Sequence, residues 1–318
     1  MFLMSLFRLL STAIFRPGNQ RARTTSVWTP LIHVPVLTAA LLIAIPTAYA
    51  QEGDALREAA QNPIADLISV PFQNNTNFGI GDTGNVQNVL NIQPVFPVHL
   101  NEDWNLIIRP ILPVIYQEPF LNPGPELQAL EQTAGSDFGR DIFGLGDLTP
   151  ELFFSPSKPI QLAPDVGLVW GVGPVFQFPT ATSDVLGTGK WSAGPAFVTF
   201  LSVKPLHITT GFLALNVWSF AGDGDRPDVN ELTFQPFLNY NLSKGWYLTS
   251  APLMTADWEA DSDNRWTVPL GGGIGRVFEI GHQAVNAQLS AYYNVVKPDL
   301  TGADWQLRAE MTFLFPEH

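Results

Sequence analysis

A period of two in hydrophobicity, repeated along most of the chain, is what most restricts its fold. Trp305, Leu307, Ala309, Met311, Phe313 and Phe315 alternate with Gln306, Arg308, Glu310 and Thr312. Val285, Ala287, Leu289, Ala291, Tyr293 and Val295 alternate in the same way with Asn286, Gln288, Ser290, Tyr292 and Asn294, and Leu232, Phe234, Leu238 and Tyr240 with Thr233, Gln235 and Asn239. Side chains of a strand point to opposite faces in turn and those of a helix repeat every 3.6 residues, so these windows are strands with one greasy and one polar face. The pattern predicts twelve strands, near 64–73, 86–100, 104–116, 144–156, 166–179, 190–203, 206–220, 231–242, 246–257, 265–279, 283–296 and 305–315.

The links between them alternate in length. Short ones fall at Asn101 to Asp103, Lys204 to Pro205, Ser243 to Gly245 and Gly281 to His282, with a slightly longer one at Pro159 to Pro164. Between these lie the long ones: Asn74 to Asn85, Gln117 to Phe143, Thr180 to Gly189, Ala221 to Asn230, Trp258 to Asn264 and Lys297 to Asp304. Short periplasmic turns, long outer loops and an even number of strands are the requirements of an antiparallel transmembrane β-barrel of a Gram-negative outer membrane. Aromatic placement agrees. Trp191, Trp218, Trp258, Trp266 and Trp305 sit at the loop ends of their strands, and Trp104, Trp246, Phe313 and Phe315 at the turn ends, as two interfacial girdles require. Trp170 stands outside this pattern, in mid-strand.

The first fifty residues carry Arg8, Arg16, Arg21 and Arg23, no acidic residue, an apolar run from Val34 to Ile45, and then Ala48-Tyr49-Ala50. A basic region, an apolar region and an A-x-A site make a cleaved signal peptide over 1–50, with a periplasmic N-terminal segment over 51–62 and the barrel over 63–318. Taking those four arginines from the 16 basic residues leaves 12 against 29 acidic ones, which makes nucleic acid an unsuitable partner. Cysteine is absent, which excludes disulfides, thiol nucleophiles and thiolate metal sites. Pro94, Pro110, Pro150, Pro174, Pro195, Pro236 and Pro252 oppose the barrel reading: each lies within a predicted strand, on the outward parity, and removes a ladder donor. They keep a secreted β-sandwich open as the alternative fold.

NPIADLISVPFQNNTNFGIG (62–81), LNIQPVFPVHLNEDWNLIIRPILPVIYQ (90–117), GLGDLTPELFFSP (144–156), GTGKWSAGP (187–195), NVWSFAGDGDRPDVNE (216–231) and NRWTVPLGGGIGRVF (264–278) resemble the outer-membrane transporter family named for the meta-pathway of phenol degradation, the MetA-like transporters. The resemblance covers nearly the whole chain after the signal. It implies a barrel concerned with passage of small organic compounds and brings no catalytic or binding residues to carry over. The tail Pro316-Glu317-His318 departs from barrels that end on an aromatic residue for the assembly machinery, since Phe315 lies three residues short.

The inward parity is rich in amides and hydroxyls and carries few charges. Gln93, Arg109, Glu151, Gln177, Gln235, Gln288, Arg308 and Glu310 are the candidate residues of a solute pathway, and Arg109 is expected to pair with Glu151. A lumen of this kind suits neutral polar or aromatic solutes, because no ladder of one sign selects ions. A lumen plugged by its own side chains, leaving a structural or adhesive surface barrel, is the alternative. A barrel hydrolase is weaker still, since His99, His207 and His282 lie beside turns and no G-x-S-x-G or H-E-x-x-H occurs. Asp223, Asp225 and Asp228 are candidate oxygen ligands for a divalent cation, through which the loop could bridge to lipopolysaccharide. Phe234 stands where a twelfth-position Glu would complete a calcium loop, so the plainer reading is solvated loop charge. No cofactor is implied. The expected partners are outer-membrane lipid and lipopolysaccharide, the barrel assembly machinery and small organic solutes.

Overall fold

The computed structural model describes residues 52–80, 84–119, 141–299 and 301–316. The predicted signal peptide, most of the 117–143 loop and the last two residues of the tail lie outside them.

Helix α1 (Glu52–Gln61) precedes the strands β1 (Ile68–Ile80), β2 (Asn85–Ile92), β3 (Phe96–His99), β4 (Trp104–Gln117), β5 (Ile142–Leu145), β6 (Thr149–Pro156), β7 (Ile160–Ala163) and β8 (Val166–Gln177). There follow β9 (Lys190–Val203), β10 (Ile208–Gly222), β11 (Asn230–Asn241), β12 (Trp246–Ser250), β13 (Met254–Asp257), β14 (Trp266–Ile280), β15 (Gln283–Val296) and β16 (Trp305–Phe315). The strand pairings are all antiparallel, and the sheet closes through β1 and β16, in register from Ile68–Phe315 to Phe78–Trp305. Joined end to end, β2 with β3, β5 with β6 and β7, and β12 with β13 each make one interrupted stave, so the ring has twelve. The chain is an all-β, closed, twelve-stave antiparallel barrel. Closure leaves no sheet edge, the condition that a membrane places on a β structure.

The outward parity is a lipid-type surface. Phe154, Val172, Phe197, Leu248, Leu270 and Ile274 are exposed large apolar side chains on five of the staves. Trp104, Trp191, Trp218, Trp258 and Trp305 are exposed toward the two rims. Trp170 proves to be no exception. Its ring meets Trp104 edge to face at 6.0 Å, because the stagger of β8 against β4 brings the fifth residue of one strand level with the first of the other.

Two expectations need correction. The alternation predicts a first strand at 64–73 with a loop from Asn74, yet β1 runs from Ile68 to Ile80. Asparagine disfavours strands in general. Here Asn74 and Asn88 exchange amide hydrogen bonds at 2.9 Å, and Asn77 donates to Gln87 at 2.9 Å, so the ladder is laced by cross-strand amides. The prolines are also accommodated rather than excluded. Pro110 faces Pro150, and Pro174 faces Pro195, so paired residues share their missing donors at single rungs. Pro94 falls in the break between β2 and β3, between the Ile92–Leu112 and Phe96–Ile108 rungs and thus level with Pro110. Pro252 falls in the break between β12 and β13. For these prolines the donor gaps coincide at shared rungs or fall in breaks between strands, where a missing donor costs the ladder least.

Candidate functional site: the barrel lumen

The lumen has two unlike walls. On the side of β1, β2, β4 and β11–β16 it is polar. Arg109 Nη1 donates to Glu151 Oε2 at 3.1 Å, and its Nη2 donates to Gln93 Oε1 at 2.6 Å. Arg109 and Glu151 are facing residues of β4 and β6, so the contact follows from register and parity alone. Arg308 is 2 % exposed and directs its guanidinium to neutral acceptors: Asn75 Oδ1 at 3.0 Å, the Ala251 carbonyl at 2.8 Å and Gln306 Oε1 at 3.1 Å. The ring of Tyr292 lies 4.9 Å from it, a cation–π contact. Glu310 accepts from Gln73 Nε2 at 3.1 Å and from Thr312 Oγ1 at 3.2 Å. Gln288 accepts from the Tyr247 hydroxyl and donates to Ser290. Gln235 donates weakly to the Ala251 carbonyl at 3.4 Å.

The opposite wall is apolar. Val95, Ile107, Phe153, Val175, Ala196, Val198, Leu213, Leu215 and Val217 form one buried cluster from the turn before β3 to β10, with Ile64 packed onto it. Amides and hydroxyls, expected to dominate the inward parity, do so on the polar side and not on this one. Sequence alternation missed the apolar wall because VGLVWGVGPVFQ and GPAFVTFLSV are apolar on both parities. A run without alternation signals burial on both faces, and that signal was available.

Between the walls lies a cavity of about 150 Å³ lined by Gln93, Arg109, Gln235, Gln288, Arg308 and Glu310 together with Val95, Leu213, Phe237 and Tyr247. Glu151 adjoins it through Arg109. Gln177 stands apart at the loop end of β8, facing Ser192. Tyr247 is a lumen residue that sequence reasoning did not select. Its hydroxyl donates to Asn286 Oδ1 at 2.7 Å, and its ring occupies the place that a side chain at Gly275 would need.

Helix α1 and the segment after it form the floor of this cavity, at the mouth where the short turns lie. Arg57 donates to the Leu242 carbonyl at 2.8 Å, Gln61 donates to Asn241 at 2.9 Å, and Thr209 donates to Gln61 at 2.7 Å. Leu56, Ala59 and Ala60 pack against Ala65, Leu67, Tyr247, Val277, Ala284 and Leu314. Such anchors, each worth about 1 kcal/mol net, hold the helix to one side of the mouth.

The acidic loop is arranged differently from a metal cage. Asp228 Oδ1 lies 3.1 Å from Lys190 Nζ and accepts from Ser219, while Asp223 Oδ1 caps the backbone N–H of Asp225. Among the described residues no three carboxylates or imidazoles converge on a point that could hold a metal ion. His99 turns to Asp66 at 3.0 Å, and His207 occupies a left-handed turn position at φ 56°.

Neither protein-family profiles nor curated proteins match this sequence. Solved structures do. An outer membrane channel from Pseudomonas putida F1 aligns over 78 % of this chain and 94 % of its own at 16 % identity, with a TM-score of 0.54. The CymD monoaromatic hydrocarbon channel covers 86 % of this chain and 95 % of its own at 12 % identity and a TM-score of 0.39. The outer membrane phospholipase A from Escherichia coli covers 79 % and 99 % at 10 % identity and 0.41. At such identities, the likeness to the Pseudomonas channel is one of fold, a barrel of the outer-membrane type.

Proposed function

We propose that this chain is an outer-membrane channel of a Gram-negative bacterium that passes small neutral or aromatic organic solutes. The observation that carries the reading is the two-sided lumen: a cavity of about 150 Å³, amides and satisfied charges on one wall, aliphatic and aromatic side chains on the other. A cavity of roughly that volume holds one benzene-sized molecule. The apolar wall would receive a ring, and the amides would receive a hydroxyl or carbonyl. Gln93, Arg109, Glu151, Gln235, Gln288, Arg308 and Glu310 would line the path, with Gln177 near its outer entrance. The resemblance to the MetA-like transporters of phenol degradation points the same way. Export by a cleaved signal over 1–50, insertion by the barrel assembly machinery, and contact of Asp223 and Asp225 with divalent cations of lipopolysaccharide belong to the same proposal, as does the absence of a catalytic role.

The test is ion current through purified protein in a planar bilayer. Neutral aromatic alcohols should interrupt the current at lower concentrations than a sugar acid does. A sugar acid that blocks equally well would sink the solute class. The place of α1 and the segment after it as the floor of the lumen cavity favours one second reading, a structural barrel with a closed lumen, and a protein that never conducts in the bilayer would establish it.

A further inference from the structure

A second cavity, of about 490 Å³, opens at the short-turn mouth between the N-terminal segment and the wall of β7–β9. It is lined by Glu58, Ala59, Asn62 and Asp66 on one side and by Gly167, Phe200 and Ser202 on the other. The lumen cavity and this one share Ala59 and Asn62, so these two residues form a common partition between them. The anchors of α1 lie on the other side: Leu242 and Asn241 at the end of β11, Thr209 on β10, and the apolar cluster around Tyr247 and Leu314. The helix is therefore fastened to the β10–β16 arc, and the space beside it falls on the β7–β9 arc.

We propose that solute leaves the lumen through a portal on the β7–β9 side of α1, past Ala59 and Asn62 and out between Asp66 and Gly167. This rests on the channel reading above and adds the route. The partition is thin, because Ala59 has one side-chain carbon and Asn62 turns its amide oxygen back to the N–H of Ile64 at 3.1 Å. Beyond it the lining carries three carboxylates, Glu58, Asp66 and Asp165, against one ammonium, Lys204, a balance that disfavours anions at the exit. The lower chamber also has room to be filled. A Cβ at Gly167 would meet nothing closer than 3.6 Å.

The natural chain has no cysteine, which makes a thiol at one position unambiguous. Full-length Ala59→Cys in liposomes is to be treated with a bulky neutral thiol reagent and read by arabinose-driven swelling, with Ser262→Cys on an outer loop as the labelling control. Gly167→Phe serves as an independent variant that needs no chemistry. Expected are normal swelling of the wild type, loss of most of the flux on labelling Cys at 59, a similar loss in Gly167→Phe, and no change on labelling at 262. If the wild type swells and neither the labelled 59 variant nor Gly167→Phe changes the rate, the portal is overturned and the channel reading stands. If the wild type does not swell at all, the channel reading falls and takes the portal with it.

Discussion

Arg109 and Glu151 face each other across one rung of β4 and β6 and touch at 3.1 Å inside the barrel, the Glu151 side chain only 4 % exposed and the Arg109 side chain 16 %. Removing one partner strands the other in a confined, poorly hydrated place, which costs more than the pair itself is worth. Arg109→Ala and Glu151→Ala should each destabilise the barrel, and the double variant should be no worse than the more damaging single one. A coupling of about 1–3 kcal/mol is expected from unfolding titrations of the cycle. Strictly additive losses would mean that the two charges do not sense each other. Gln93 shares Arg109, so Gln93→Leu should weaken the same coupling.

The plug helix gives a second expectation. Its hold on the wall includes hydrogen bonds from Arg57 to Leu242 and from Gln61 to Asn241, and it floors the lumen cavity. Deleting residues 52–61 should raise single-channel conductance without changing the heat-modified gel mobility typical of a folded barrel. Conductance equal to that of the intact chain would show that the helix does not obstruct the path.

These residues also show what was legible in the sequence. The Arg109–Glu151 contact was readable because β4 rises from the short-turn rim at Trp104 and β6 descends to the same rim at Pro156, so equal height and inward parity fix the partners. The extension of β1 through Asn74 to Ile80 was not, since asparagine resembles loop until its amide partner on β2 is known. The apolar wall was hidden by strands greasy on both faces. Helix α1 gave little signal, because ten residues ahead of a barrel make a short helix with few large apolar groups. Its burial comes from the lumen that receives it, which is a tertiary fact.

The outer loop offers a pH test. Asp228 is held below its ordinary value of 3.8, first by the hydrogen bond from Lys190 and then by that ammonium's charge. A carboxyl group with a depressed folded-state pKa contributes stability above its unfolded pKa and loses it as pH falls through the folded value. Protection of the 221–230 loop against an acid-active protease should therefore stay constant from neutral pH to about pH 4 and fall below that. In Asp228→Asn the protection should be lower and flat over the same range. Protection already lost between about pH 6 and 5 would point to another group.

Tyr247 and Gly275 make the last case. They lie on facing staves, in register at a single rung, and a Cβ built on Gly275 would overlap the tyrosine ring. Glycine at 275 is thus the socket that lets Tyr247 lie against the wall, where its hydroxyl reaches Asn286 at 2.7 Å and Gln288 at 3.3 Å. A larger residue at 275 must push the ring toward the middle of the lumen or unseat the ladder. Gly275→Ala should narrow the path and lower conductance, and Tyr247→Ala on that background should restore it, because the ring is what obstructs. Tyr247→Phe alone should keep the conductance and cost about 1–3 kcal/mol, the expense of leaving Asn286 without its donor. If Gly275→Ala conducts like the wild type while folding normally, the ring has another place to go, and the socket is not what sets the width of the lumen.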